Sequence, residues 1–197
     1  MRAALWAQPM RMKSLARALL ASVLVGMLAG PTTAQTWVTE PSRSGTVARG
    51  EGLLRRAMLD GHNQARAAFG VRPLTWDATL AKDARGYARE LARTDQFRHS
   101  TGRRGAEPQG ENLWTGSRLA YSYDEMIGHW LAEQRAFRPG FLPAVSTTGR
   151  FEDVGHYTQI VWPATSRAGC ATASSRRRDY LVCRYAAPGN VAGQRLG

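Results

Sequence analysis

The residues with the chemistry to do something unusual are four acids and bases set in apolar surroundings. Glu133 is the most informative. Met126, Trp130, Glu133 and Phe137 recur at i, i+4, i+7 and i+11, so a helix would place all four on one face. A carboxylate inside an apolar stripe must find a partner or give up its charge. Two partners are open: His129, four residues back on the same helix, or a group across a polar cleft. His156 follows Gly155 and opens the run Tyr157-Thr158-Gln159-Ile160-Val161-Trp162. Glu111 lies in Gly110-Glu111-Asn112-Leu113-Trp114, which reads as the entry to a strand. His99 lies in Phe97-Arg98-His99-Ser100. Imidazoles and carboxylates are the groups that ligate divalent metals and move protons near neutral pH. Taken singly, each of the four also reads as a satisfied polar residue, and spacing alone does not bring them together.

Other routes to catalysis have no support in the chain. There is no G-x-S-x-G elbow, no H-E-x-x-H helix, no P-loop and no G-x-G-x-x-G. Only two cysteines are present, Cys170 and Cys183. In an exported protein they would form a disulfide, worth about 3 kcal/mol for a loop of this length. A pair of buried free thiols is the alternative.

These residues need elements to position them. Residues 51–69 carry Leu54, Met58, His62, Ala65 and Phe69 at helical spacing, with Gly70 as the stop. Asp77 can cap a second helix, whose stripe is Leu80, Ala84, Tyr87, Ala88 and Leu91. Ser122-Tyr123-Asp124-Glu125 is a capping box that starts a third, running to about Phe137 before Pro139-Gly140. The β-branched and aromatic content of 156–162 predicts a strand. Residues 168–174 and 179–185, around a short basic connection, predict a hairpin with one cysteine on each arm. Helices first and strands later, without β-α alternation, predict an α+β layered domain.

The chain has 197 residues, 43% hydrophobic and 21% charged, which is one domain's worth of globular composition. Arg11, Lys13 and Arg17 precede an uncharged apolar run at 18–29, broken by Gly30-Pro31, with small residues up to Ala34. That run has the length of a signal-peptide core and is too short to span a bilayer. The expected organisation is therefore a signal peptide over 1–34, a flexible leader over 35–50 and one domain over 51–197. No stable transmembrane segment is expected after cleavage, and the expected location is extracellular or periplasmic. The sequence carries 27 Lys+Arg against 15 Asp+Glu, a net charge of +12, of which cleavage of the signal peptide would remove four. Export argues against nucleic acid as the partner of this charge and for an anionic cell-surface component. Arg176, Arg177 and Arg178 are the candidate anionic-surface residues, joined by Arg103 and Arg104. A run of three arginines at a hairpin tip is more often just a solvated turn.

The motifs together resemble the CAP superfamily: cysteine-rich secretory proteins, antigen 5 and pathogenesis-related 1 proteins, also called the SCP domain. Residues 155–162 are similar to its first signature and 180–191 to its second. Gly110-Glu111-Asn112-Leu113, His99-Ser100, Trp130 with Glu133, and His62-Asn63 with Arg66 match in order. The resemblance implies an α-β-α sandwich, a central antiparallel sheet with helices on both faces. It implies a cleft holding His99, Glu111, Glu133 and His156. There the two histidines bind zinc or another divalent ion, and the glutamates serve as second shell or additional ligands. Tyr157, Gln159, Asn112 and His62 are expected to support the packing.

The resemblance further implies a divalent-metal- and lipid- or amphiphile-binding extracellular module. The alternative is a metal-assisted hydrolase or protease with Glu111 or Glu133 as the candidate catalytic group. A catalytic zinc usually has three protein ligands and an open position, and the two histidines alone fall short of that. The chain lacks the cysteine-rich extension and the extra cysteines of the eukaryotic branches, so ion-channel and sterol functions carried by those features are not expected.

Overall fold

The computed structural model describes residues 47–101 and 107–197. The apolar run at 18–29, the expected signal peptide over 1–34 and most of the expected leader over 35–50 lie outside the described residues, as do Arg103 and Arg104. Among the described residues no helix is long and apolar enough to cross a membrane.

The first three expected helices form where their patterns place them. α1 spans Glu51–Phe69 and buries Leu54, Ala57, Met58, His62 and Arg66. Its end is Gly70 at φ 82°, the left-handed position a glycine takes without steric penalty. After β1, Thr75–Trp76, the Asp77 carboxylate accepts from Thr79 N and Leu80 N and starts α2, Ala78–Thr94. β2 is Gly110–Ser117. The Ser122/Glu125 capping box starts α3, Tyr123–Leu131, which tightens into a 3-10 turn at Ala132–Ala136. β3 is Gly140–Phe141.

The fourth segment departs from expectation. The expected strand at 156–162 is a short helix, α4, Gly155–Ile160. Its β-like composition is overridden by charged groups from other elements that satisfy both of its ends, as set out below. β4, Arg167–Ser174, and β5, Arg178–Ala186, form the expected hairpin, and β6 is Arg195–Leu196.

The main sheet has the order β1-β4-β5-β2. β2, β5 and β4 are antiparallel, whereas the two-residue β1 runs parallel to β4, so the sheet is mixed. β3 and β6 pair separately. The α-β-α sandwich is otherwise as expected. Side chains alternate across the strands. On β5, Tyr180 and Val182 face α2 with Ala84, Ala88 and Leu91. Leu181, Cys183 and Tyr185 join the larger core formed with α1, α3 and α4. α2 lies so close to β4 that a Cβ on Gly169 would stand 2.2 Å from Ala81 N and 2.5 Å from Asp77 O. Cys170 and Cys183 are directly opposite in register and form the disulfide, S–S 1.98 Å.

Candidate functional site

Three consecutive residues near the start of β2 organise the site. The Glu111 side chain is buried, 7% exposed. Its Oε1 accepts from His99 Nδ1–H at 2.7 Å and from Ser100 N–H at 3.0 Å. Its Oε2 pairs with Arg184 Nη2 at 2.8 Å. Burial by itself pushes the Glu111 carboxyl up. The His99 bond, the Arg184 charge and the Ser100 N–H outweigh that and hold it below its ordinary value. Arg184 sits directly opposite Glu111 in the β2–β5 register, also donates to Ser100 Oγ, and lies over the Tyr87 ring, 5.3 Å from its centroid. Asn112, the next residue, donates from Nδ2 to the His156 carbonyl at 3.1 Å. Leu113, after it, accepts from Trp130 Nε1 at 3.2 Å. The Trp130 indole stacks on the His156 ring, centroids 5.6 Å apart and 15° between planes.

The second pair has the same form. His156 Nδ1–H donates to Glu133 Oε1 at 2.6 Å. Glu133 Oε2 accepts the main-chain N–H groups of His156 and Tyr157 at 2.9 and 3.1 Å. These are orphan donors in the first turn of α4, and a carboxylate there suits the positive end of the helix dipole. At the other end, Arg66 Nη1 donates to the Ile160 and Trp162 carbonyls at 2.8 and 2.9 Å.

His129 is not Glu133's partner. Its Nδ1 accepts from Trp114 Nε1 at 2.8 Å, and burial lowers its pKa. His62 is buried under Tyr185, donating from Nδ1 to Met58 O and accepting the Tyr185 hydroxyl at 2.8 Å on Nε2. Burial drops its pKa to about 4, so it is neutral.

Both site histidines therefore spend Nδ1 on a carboxylate, which places the metal-binding lone pair on Nε2. Carboxylate–histidine pairs of this kind orient metal ligands. By its chemistry each imidazole could offer one nitrogen ligand to a divalent ion. Among the described residues no group of three or more His, Cys, Asp or Glu side chains is arranged to hold a metal, so a closed structural zinc site is not what these residues build. Of the arginines expected to meet an anionic surface, Arg176 and Arg177 are exposed in the β4–β5 turn, and Arg178 is the half-buried first residue of β5. Sequence reading passed over Arg184. Its signal was the antiparallel register opposite Glu111, which no local pattern reveals.

Residues 59–185 match the family described as CAP: Cysteine-rich secretory protein family. Among curated proteins, the chain is similar to a pathogenesis-related protein PR-1 type of Sambucus nigra, 37% identical over 138 residues, 70% of this chain and 78% of that protein. It is also similar to pathogenesis-related protein 1C of Nicotiana tabacum, 38% identical over 137 residues, 69% of this chain and 76% of that protein. Among solved structures, one of NaASP2 with Zn2+ has the same fold, with a TM-score of 0.61 at 23% identity, covering 78% of this chain and 88% of that one.

Proposed function

The chain belongs to the cysteine-rich secretory protein (CAP) family, and on that premise we propose that it is an exported binding module that holds a divalent metal ion through His99 and His156. The observation that carries the reading is the repeated pairing: each imidazole gives Nδ1–H to a buried or half-buried carboxylate. Glu111 and Glu133 act as orienting groups and not as ligands, because both oxygens of each are already engaged. The zinc in the NaASP2 structure supports the choice of ion. The Cys170–Cys183 disulfide is consistent with an oxidising compartment.

The same engagement argues against hydrolysis. A metal-assisted hydrolase needs a carboxylate that can take a proton from water. Glu133 accepts three N–H groups, and Glu111 is held by His99, Ser100 and Arg184. The lipid or other small amphiphile rests on family membership alone. Mass spectrometry of protein recovered from a lipid extract tests it.

The deciding experiment for the metal is calorimetric titration of the full chain with zinc. We expect weak binding that a chelator reverses without unfolding, and its loss in His99→Ala/His156→Ala. Unchanged affinity in the double variant overturns the assignment.

A further inference from the structure

The far end of the sheet carries a second feature that the histidine site does not use. An open groove of about 660 Å³ is lined by Arg93, Arg118, Arg176 and Arg177, together with Asp95 and Ser175. Three elements meet there. Arg93 is in the last turn of α2. Arg118 follows β2, and its N–H donates to the Arg177 carbonyl at 2.9 Å. Arg176 and Arg177 form the β4–β5 turn, where Ser175 Oγ accepts the Arg177 and Arg178 N–H groups at 3.3 and 3.1 Å.

The charge balance is one-sided. Four guanidiniums face one carboxylate, and Asp95 Oδ1 already accepts the Tyr180 hydroxyl at 2.6 Å. Among the described residues none of the four arginine side chains forms an ion pair with a carboxylate. Asp95 feels the charge of Arg177 without bonding it. Guanidiniums present planar pairs of donors that match phosphate oxygens. Contributed by three elements, the four arginines line a concave surface and not merely a charged turn.

The rim adds an independent feature. Leu119, beside Arg118, is 38% exposed and sits at φ 62°. That conformation is strained for a leucine and persists only when its surroundings hold it. Here the Leu119 N–H donates to Oδ2 of the buried Asp179 at 2.9 Å, and Arg49 pairs with the same oxygen at 2.8 Å. An apolar side chain is thus presented next to the arginines. This is the pairing that the interfacial region of an anionic bilayer accepts, with phosphates for the arginines and acyl boundary for the leucine.

We propose that the groove of Arg93, Arg118, Arg176 and Arg177 binds phosphate monoesters, presented at a membrane surface by anionic phospholipid with Leu119 seated beside them. The site is independent of the histidine pair. Glu111 and Arg118 lie seven residues apart along β2 and its exit, roughly 23 Å of extended chain.

The test is partition of the full chain onto phosphatidylcholine vesicles with and without phosphatidic acid, beside titration with inorganic phosphate. Arg93→Gln/Arg118→Gln should weaken binding to the anionic vesicles about 30-fold, since each arginine near such a surface contributes a factor of about five to six and two factors multiply. Arg56→Gln/Arg89→Gln removes the same charge from exposed helical positions elsewhere and should change binding less than about threefold. Leu119→Asn keeps the left-handed backbone accessible and should weaken vesicle binding while leaving any phosphate binding unchanged. His99→Ala/His156→Ala should bind vesicles as the parent does. Thermal melts confirm that each variant is folded. Phosphate bound through the same arginines, with no effect of Leu119→Asn on vesicles, keeps the phosphate site and overturns the membrane source. Equal losses in the two arginine pairs, or equal binding to neutral vesicles, overturn the proposal.

Discussion

Glu133 grips His156 twice, accepting its ring Nδ1–H on Oε1 at 2.6 Å and its main-chain N–H on Oε2 at 2.9 Å. One carboxylate thus orients a candidate metal ligand and starts the helix that carries it. Arg66 satisfies carbonyls at the opposite end of that helix. α4 has only six residues, Gly155–Ile160, too few to be stable alone. It stands because an anion holds its N-terminus and a cation its C-terminus, the arrangement the helix dipole favours.

Replacing Glu133 by Gln keeps the shape and removes the charge. The His156 ring loses its charged acceptor, and zinc affinity is expected to fall about 10- to 100-fold, with a stability loss of about 1–2 kcal/mol. Calorimetric titration and urea denaturation measure the two separately. An unaltered zinc affinity would remove Glu133 as the orienting group.

Acid should act on this protein in two windows. His62 has its pKa lowered by burial from 6.5 to about 4. The unfolded chain therefore binds a proton that the folded chain refuses. The stability from neutral His62 is complete above 6.5 and is lost as pH falls toward about 4, in total about 3 kcal/mol. Glu111 has its pKa lowered from 4.5, so its contribution is present above 4.5 and is lost as pH falls through its lower folded value. Urea midpoints from pH 8 to pH 3 should lose the first slope in His62→Asn and the second in Glu111→Gln. A first slope that survives in His62→Asn belongs to another group.

Arg66 is buried and donates to four carbonyls: those of Arg72, Ile160, Trp162 and Thr165, at 2.6 to 2.9 Å. An ammonium has the charge but not the fork. Arg66→Lys is expected to cost about 3 kcal/mol. Hydrogen exchange at Thr158 and Val161 should accelerate with it, because α4 loses the forked donor that holds the Ile160 and Trp162 carbonyls at its C-terminus. Exchange no faster than in the parent would sever the link between Arg66 and α4.

Cys170 and Cys183 bridge β4 and β5 across a sequence separation of 13. Replacing both by Ala should lower the unfolding free energy by about 3 kcal/mol. The hairpin register is also held by the flanking strand pairs and core contacts. The far-UV circular dichroism spectrum should therefore be unchanged below the unfolding transition, and a variant that lacks the native spectrum would show that the bridge is required to form the sheet.

Much of the scaffold follows from patterns within a few residues of one another. α1, α2 and α3 obey a 3.6-residue period and carry their own stops and caps in Gly70, Asp77 and Ser122/Glu125. The β4–β5 hairpin and its disulfide follow from strand composition and two cysteines on facing arms. The family motifs placed His99, Glu111, Glu133 and His156 in one cleft as an expectation.

Partner choice lay beyond such patterns. Glu133 had His129 within helical reach, yet it pairs with His156, 23 residues away, because Trp114 claims His129. The segment 156–162 has strand-like composition, yet it begins as helix because Glu133 and Arg66 satisfy its end groups, the latter 94 residues from Ile160. Arg184 reaches Glu111 only through strand register, and Arg93 and Arg118 meet the β4–β5 turn only when α2 and the end of β2 pack against it. Period and capping act through neighbours along the chain, so the sequence alone determines them. Which charge settles on which donor is a competition among groups distant in sequence, and only the folded arrangement decides it.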